Sequence, residues 1–454
     1  MKRFRARSAA ALALGAAAVV TLSLVHDGSR AVSKEPAKGD KAKVTYAGQV
    51  AAVLQKNCQS CHHPGTAAPF SLLTYDDAVK HAEDIKEAVA DKRMPPWYAD
   101  PHFGAFSNDR RLKKADQEAL LAWVDSGKAF GDKKDLPPNP TYADGWVIGK
   151  PDVIFELPET QTIPADGVMP YEHFVTPTNF KEDVWVQAAE ARPGNRGVVH
   201  HIIVSFRDPK NSERGGGRGG RGGRGGRGGR GGAGGGGGGG GGGIGDGMLV
   251  GTAPGDMPLI LPPGVARKIP AGADLIWQMH YTPNGKKTTD RSQVGLIFYK
   301  GKEPPKYSAH TLGITNAGFV IPPGESNQLV ESEWTVPRDT MLLTFMPHMH
   351  LRGKDFKYDV TYPGGKTETL LSVPKYDFNW QLMYRVEKPL LLPKGTVVHC
   401  TAHFDNSAGN PANPDPKQEV TWGDQTWEEM MIGWVDFVWE QPEADAIREG
   451  FEAF

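Results

Sequence analysis

Three cysteines occur in 454 residues, and two of them stand in Cys58-Gln-Ser-Cys61-His62. A chain that commits this pair to one local motif leaves Cys400 without a partner. No framework of disulfides can then hold the rest together, and stability must come from apolar burial and sheet pairing. The motif is the C-x-x-C-H pattern of covalent haem attachment, in which two thioethers fix the porphyrin and the adjacent imidazole, here His62, supplies the proximal iron ligand. A thioredoxin-like dithiol, half a zinc site and a plain disulfide are the competing readings. Zinc would need partner cysteines that the chain lacks, and a redox dithiol does not explain the immediate histidine. Covalently bound haem c is the expectation.

The flanking sequence reads as helical. Tyr46 to Asn57 carries Val50, Val53 and Leu54 at helical spacing, and Thr74 caps a second helix, Tyr75 to Asp91, with Ala78, Ile85 and Val89 on one face. A third helix, Lys113 to Phe130, shows the stripe Leu120, Leu121, Trp123 and Val124, ended by Gly127. This order resembles a class I cytochrome c, with domain limits expected at 46 and 133. The resemblance implies a Met as sixth iron ligand on a loop between the last helices, and Met94 in Arg93-Met-Pro-Pro-Trp97 holds that place. The prolines deny this loop helix. His63, His81 and His102 are the alternative ligands, and a buried side chain is the alternative role for Met94.

At the N-terminus, Lys2, Arg3, Arg5 and Arg7 precede an apolar run from Ala9 to Val25, followed by small and polar residues near Ser29 to Ser33. Residues 1–33 therefore read as an export signal, cleaved, with an uncleaved anchor as the alternative. The expected location is the periplasm or the extracytoplasmic side of the membrane. No later segment holds about 20 uninterrupted apolar residues, so no membrane contact is expected beyond such an anchor. The net charge is −1, but the first 33 residues carry +4 and six arginines from Arg214 to Arg230 carry +6, so the remainder carries −11. Acidic folded parts argue against a nucleic-acid-binding core, which would require clustered Lys and Arg, so no specific nucleic-acid partner is expected. Those six arginines belong to a tract whose stretch Gly215 to Gly243 holds 23 of the 56 glycines, within what reads as a disordered insertion over residues 211–247.

A proline-rich joint, Leu136-Pro-Pro-Asn-Pro140, lies within a linker over residues 134–150. Beyond it the texture changes to short β-rich runs broken by Pro and Gly: Asp152 to Glu156, Asp183 to Gln187, Val198 to Phe206, Leu275 to Met279, Val294 to Tyr299, Met341 to Phe345 and Phe356 to Thr361. The fold class expected is thus a small all-α domain followed by two all-β sandwiches, over residues 151–300 and 301–454.

The histidines carry the chemistry of this half. His200 and His201 are adjacent in Val198-Val-His-His-Ile-Ile-Val204, and two neutral imidazoles in an apolar strand demand a partner such as a metal. Neighbours on a regular strand point to opposite faces, so a shared ion requires the strand to bulge or twist there. His348 and His350, spaced i, i+2, fall on one face of a strand as a two-point chelate. His280 ends Leu275-Ile-Trp-Gln-Met-His280, and Met430 lies in Thr426-Trp-Glu-Glu-Met-Met-Ile432. For any one of these histidines the bland reading is a hydrogen-bonded core imidazole. Five on strands in two groups favour metal.

At these residues the chain resembles the copper type II ascorbate-dependent monooxygenases, the group that holds peptidylglycine α-hydroxylating monooxygenase and dopamine β-monooxygenase. The likeness covers about residues 151 to 440. His200-His201 is similar to the paired histidines of the group, Gln278-Met-His-Tyr281 to its third ligand of the same copper, and His348-Met-His-Leu-Arg-Gly-Lys354 to the His-x-His of the second copper. Glu428-Glu-Met430 is similar to the Met ligand, preceded by Cys400, Asn406 and Gly409. The resemblance implies two jelly-roll domains with one copper each, facing across a solvent-filled cleft. His200, His201 and His280 would hold the electron-storing copper. His348, His350 and Met430 would hold the one that meets dioxygen and the substrate, a soft thioether favouring Cu(I). Met431 is the alternative thioether; if the segment is a strand, choosing it moves the ligand to the opposite face.

Two departures bear on substrate. Met346 and Pro347 stand where peptide-amidating members carry an Arg, and Trp434 where they carry a Tyr. Peptide amidation is therefore disfavoured. The expectation is an exported monooxygenase that hydroxylates a C–H bond of a small organic substrate, with electrons reaching two coppers from the haem, from ascorbate or from another external donor. The alternative from another class is a non-catalytic electron-transfer or sensing protein.

Overall fold

The computed structural model describes residues 43–439, apart from 65, 67, 143–144, 210–246 and 253–257. The expected export signal and all but the end of the Gly/Arg insertion lie outside the described residues.

Helices are confined to the first third of this span. Thr45 accepts the Gly48 N–H and opens a π-helical turn, Tyr46–Val50, that runs into α1, Ala51–Asn57. Thr74 and Asp77 form a reciprocal capping box at α2, Tyr75–Lys80. The single helix expected from Tyr75 to Asp91 is broken at His81, where the backbone leaves the helical region (ψ 19°), and resumes as α3, Ala82–Ala90. The His81 ring turns back to Asp84, Nδ1 to Oδ2 3.0 Å, and this local bond competes with the helix. α4, Lys114–Asp125, stops five residues before the expected Phe130. Gly127 and Lys128 adopt left-handed backbone there, and the Lys128 N–H closes on the Trp123 carbonyl at 3.0 Å. Val50, Leu54, Ala78, Leu120 and Trp123 are fully buried where these helices meet.

The loop between α3 and α4 leaves this helical core. Trp97 and Ala99 are buried in the core formed by residues 314–437. The Asp100 N–H donates to Ser372 O at 2.8 Å and the Ser107 N–H to Arg385 O at 2.9 Å, while Ala105 O accepts from the Glu387 N–H at 2.8 Å. The boundary placed at residue 133 therefore does not enclose one packing unit. Part of the segment between 46 and 133 is built into the last third of the chain, and the proline joint is not the sole connection.

The remainder is predominantly β, as the texture predicts. A nine-stranded sheet runs through Val153–Glu156, Gln293–Phe298, Val184–Arg192, Val265–Ile269, Tyr307–Thr315, Ile432–Trp439, Thr340–His348 and Tyr384–Leu392, with Leu259–Ile260 beside Val184–Arg192. Over its first half packs a four-stranded sheet of Glu172–Pro177, Asp274–Tyr281, Val199–Arg207 and Met248–Thr252. Over its second half packs another, of Gln328–Thr335, Val397–Phe404, Gly353–Thr361 and Thr367–Val373. Two sandwiches thus share one sheet. They are joined by a short parallel pairing of Tyr307 with Val265 and Ser308 with Ala266.

Cys400, the thiol outside the haem motif, is fully buried in the second sandwich, and burial raises its pKa well above the usual range. It packs where only glycine fits opposite: a Cβ on Gly433 would meet its Sγ at 2.5 Å. It is a packing residue and inert.

Candidate metal centre

His201 and His280 face each other in register on the antiparallel pair Val199–Arg207 and Asp274–Tyr281. The register slips between Val199 and His201, so His200 is the extra residue of a β-bulge. This is the distortion that two adjacent histidines need to share a face. One donor atom from each of His200, His201 and His280 lies within 4.8 Å of the others. The Nδ1 atoms of all three, and Nε2 of His201, are buried without a hydrogen-bond partner. Burial lowers the pKa of each ring, to about 3 for His280, where His200 adds to the effect. Neutral, convergent and unpaired imidazole nitrogens are the donor set a metal ion requires.

The second group forms at the end of strand Thr340–His348. His350 lies two residues beyond the strand's last residue, just before the turn at Leu351, so the regular i, i+2 alternation predicted from spacing does not by itself aim the two rings. Glu429 fixes the backbone at His350: its buried carboxyl group accepts the His350 N–H at 2.8 Å and the Arg352 N–H at 2.6 Å. Burial raises this carboxyl to about 8. His348 Nδ1 is 2.6 Å from Gln381 Oε1, and His350 Nδ1 is 3.2 Å from Glu428 O. Both Nδ1 atoms act as donors there, which leaves each Nε2 as a lone pair, and His350 Nε2 is buried and unpartnered. The two rings stand 5.3 Å apart at 89°.

Met430 and Met431 part company. The ladder pairs Met346 with Trp434 and His348 with Ile432. Met430 is buried with Met248, Ile432 and Trp434, against Met346. Met431 lies in the core of the second sandwich with Met349 and Cys400. Met430 is thus on the side of the first sandwich and Met431 inside the second.

A solvent-filled cleft between the two histidine groups was expected, and the structure puts aromatic rings there instead. Tyr171, 7% exposed, lies 5.0 Å from His201, 4.6 Å from His280 and 6.3 Å from His350 by ring centroids. Its N–H donates to Gln425 Oε1 at 2.9 Å, on the loop that leads to Met430. Phe378 stacks over His200 at 5.8 Å and stands 6.1 Å from His350. Sequence reasoning missed Tyr171, Phe378, Gln381 and Glu429. Only Glu429, next to Met430, carried a local signal.

In the helical region Cys61 and His62 turn back on Cys58, the His62 N–H donating to Cys58 O at 2.9 Å. His62 Nδ1 bonds the Phe70 carbonyl at 3.1 Å, so Nε2 is left for a metal, an arrangement that suits an iron ligand. Cys61 is exposed, and burial, then Cys61, raises the Cys58 thiol to about 12. Neutral thioethers would suit that environment. Phe70 stands 4.8 Å from His62 and stacks on His81 at 3.9 Å. Among the alternative ligands, His63 stacks on Tyr142 and His102 bonds Asp100, while His81 shares the Phe70 stack with His62. Met94 is half-buried, its N–H on Ala88 O at 3.1 Å.

No protein-family model matches the chain, and no curated protein matches it. Solved structures similar to it include one of infectious bursal disease virus Gx strain, 7% identical, covering 65% of this chain and 74% of that one, with a TM-score of 0.20. A second is Paenibacillus xanthan lyase, 10% identical, covering 67% and 28%, with a TM-score of 0.17. Such likenesses carry no argument about the site. Among the described residues, no helix is long and apolar enough to cross a membrane.

Proposed function

We propose that the chain is an exported haem–copper monooxygenase, built from a cytochrome c domain and two jelly-roll copper domains, that hydroxylates a C–H bond of a small organic substrate with dioxygen. The bulge at His200 carries the reading, since it gathers three imidazoles whose nitrogens have no other partner. His200, His201 and His280 would hold one copper, His348, His350 and Met430 the other, and Cys58, Cys61 and His62 the haem, with Met94 or His81 completing the iron. Bound there, copper would supply one-electron redox chemistry and dioxygen activation, and haem a one-electron reservoir.

The chain's own residues prepare the site for this. Burial keeps the imidazoles neutral and available as donors. Gln381 and the Glu428 carbonyl fix the tautomers of His348 and His350. Met248, Met346 and Trp434 make an apolar wall beside Met430 that excludes water and suits an apolar substrate group. No arginine stands at Met346 to hold a substrate carboxylate.

Metal and haem content of the purified mature protein, followed by oxygen uptake with ascorbate or another one-electron donor, tests this. Two coppers and one haem per chain, with substrate-dependent uptake, are expected. Fewer than two coppers after reconstitution would remove the monooxygenase. Full loading with no uptake over a broad panel of substrates would leave the electron-transfer protein.

A further inference from the structure

The loop that carries Met94 also bonds the turn that touches the copper ligands proposed above. Four residues after Met94, a span of at most about 14 Å, the Tyr98 hydroxyl donates to Asp377 Oδ2 at 3.3 Å. Trp97, between them, is anchored in the second sandwich, edge-on to Tyr384 at 4.9 Å. Asp377 caps a tight turn, its Oδ1 accepting the Asn379 N–H at 3.0 Å and its carbonyl the Trp380 N–H at 2.9 Å. That turn presents Phe378, which contacts His200 of one group and His350 of the other, and Gln381, which bonds His348. One hydrogen bond and one short turn therefore separate the Met94 loop from members of both histidine groups.

We propose that Tyr98, Asp377 and Phe378 form the route by which electrons pass from the haem domain to the histidine groups. It rests on the haem–copper reading. One electron leaves ferrous haem and a cupric ion takes it, so iron becomes ferric and copper cuprous. No proton moves, and Tyr98 keeps its hydrogen. An external one-electron donor re-reduces the haem. The proline joint at 137–140 has no part in this connection, because the loop itself is packed into the second sandwich.

The test uses the full-length protein loaded with haem and copper and oxidised. A photoexcited ruthenium dye reduces the haem in a pulse, and haem reoxidation is followed optically in the absence of oxygen. Tyr98→Phe keeps the ring and removes the hydrogen bond, and Phe378→Leu keeps the apolar bulk and removes the π-system. Each is expected to slow transfer measurably, with haem spectrum, copper content and copper EPR parameters unchanged. An unchanged rate in either variant overturns the route. So does a slowing that occurs only with lost copper or an altered copper spectrum, which would make the contact structural. Failure of the unmutated protein to hold haem or copper would show up in the loading step and would overturn the function itself.

Discussion

The ring of Tyr171 stands 4.6 Å from that of His280, and its buried hydroxyl has no hydrogen-bond partner. A buried phenol ordinarily finds one. Its position between the histidine groups is therefore held by packing and by the Gln425 bond to its backbone. Tyr171→Phe should be close to neutral in stability, because it removes a polar atom that gains nothing from burial. Tyr171→Ala should cost about 3–5 kcal/mol, by the loss of a large buried ring. Urea denaturation of the metal-free protein measures both. A Phe variant as unstable as the Ala variant would mean that the hydroxyl is bonded after all.

Met430 and Met431 make opposite predictions although they are neighbours. Met431 is fully buried in the second core, so Met431→Ala should cost about 2–5 kcal/mol in stability and leave copper affinity unchanged. Met430→Ala should weaken Cu(I) binding more than Cu(II) binding at the second site, because a soft ligand is lost and two imidazoles remain. Competition titrations with a chromophoric Cu(I) chelator read the difference. If Met431→Ala alone lowers Cu(I) affinity, the assignment of Met430 rather than Met431 as the ligand is wrong.

The bulge was legible because it follows from two adjacent polar residues in an apolar strand, a contradiction that only local distortion resolves. Strand positions were legible for the same local reason: Val198 to Phe206 is observed as Val199–Arg207, and Phe356 to Thr361 closes Gly353–Thr361. Gln381 and Phe378 were not legible, since nothing near them in sequence marks them and their partners lie on other strands. The packing of the loop between α3 and α4 against the second sandwich was hidden differently. Trp97 follows the Pro-Pro pair and reads as part of a haem loop, and only the fold shows that its neighbours are Phe106 and Tyr384. The shared sheet is not legible in the sequence because its junction rests on a short pairing of otherwise ordinary residues.

At the haem motif, covalent attachment predicts that haem stays with the denatured protein through organic extraction, and that Cys58→Ala with Cys61→Ala releases it. Met94→Ala should remove the weak near-infrared charge-transfer band of Met-ligated ferric haem. His81 is the informative control, because its ring shares the Phe70 stack with His62 and its Nδ1 is already held by Asp84. If Met94→Ala leaves the spectrum unchanged and His81→Ala alters it, the sixth ligand is His81.

The pH dependence of the metal-free protein should have two limbs of opposite cause. Burial lowers His280 and His350 to about 3 and His348 to about 4, against the usual 6.5. Below pH 6.5 the unfolded chain takes up protons that these folded sites refuse, so stability falls as pH drops from 6.5 toward 4. Glu429 acts the other way. Burial raises it to about 8 from the usual 4.5, so the folded state keeps a proton that the unfolded chain releases. Its contribution is complete below pH 4.5 and is lost as pH rises to 8. Between 4.5 and 6.5 the histidines outnumber the single carboxyl, and above 6.5 only the carboxyl remains of these four groups. Stability of the metal-free protein should therefore peak near pH 6.5. Glu429→Gln, which cannot titrate, should flatten the decline between 6.5 and 8 while leaving the acid limb in place. Urea midpoints across pH 4 to 8 for both proteins decide this, and an alkaline decline that survives in Glu429→Gln would assign that limb to another group.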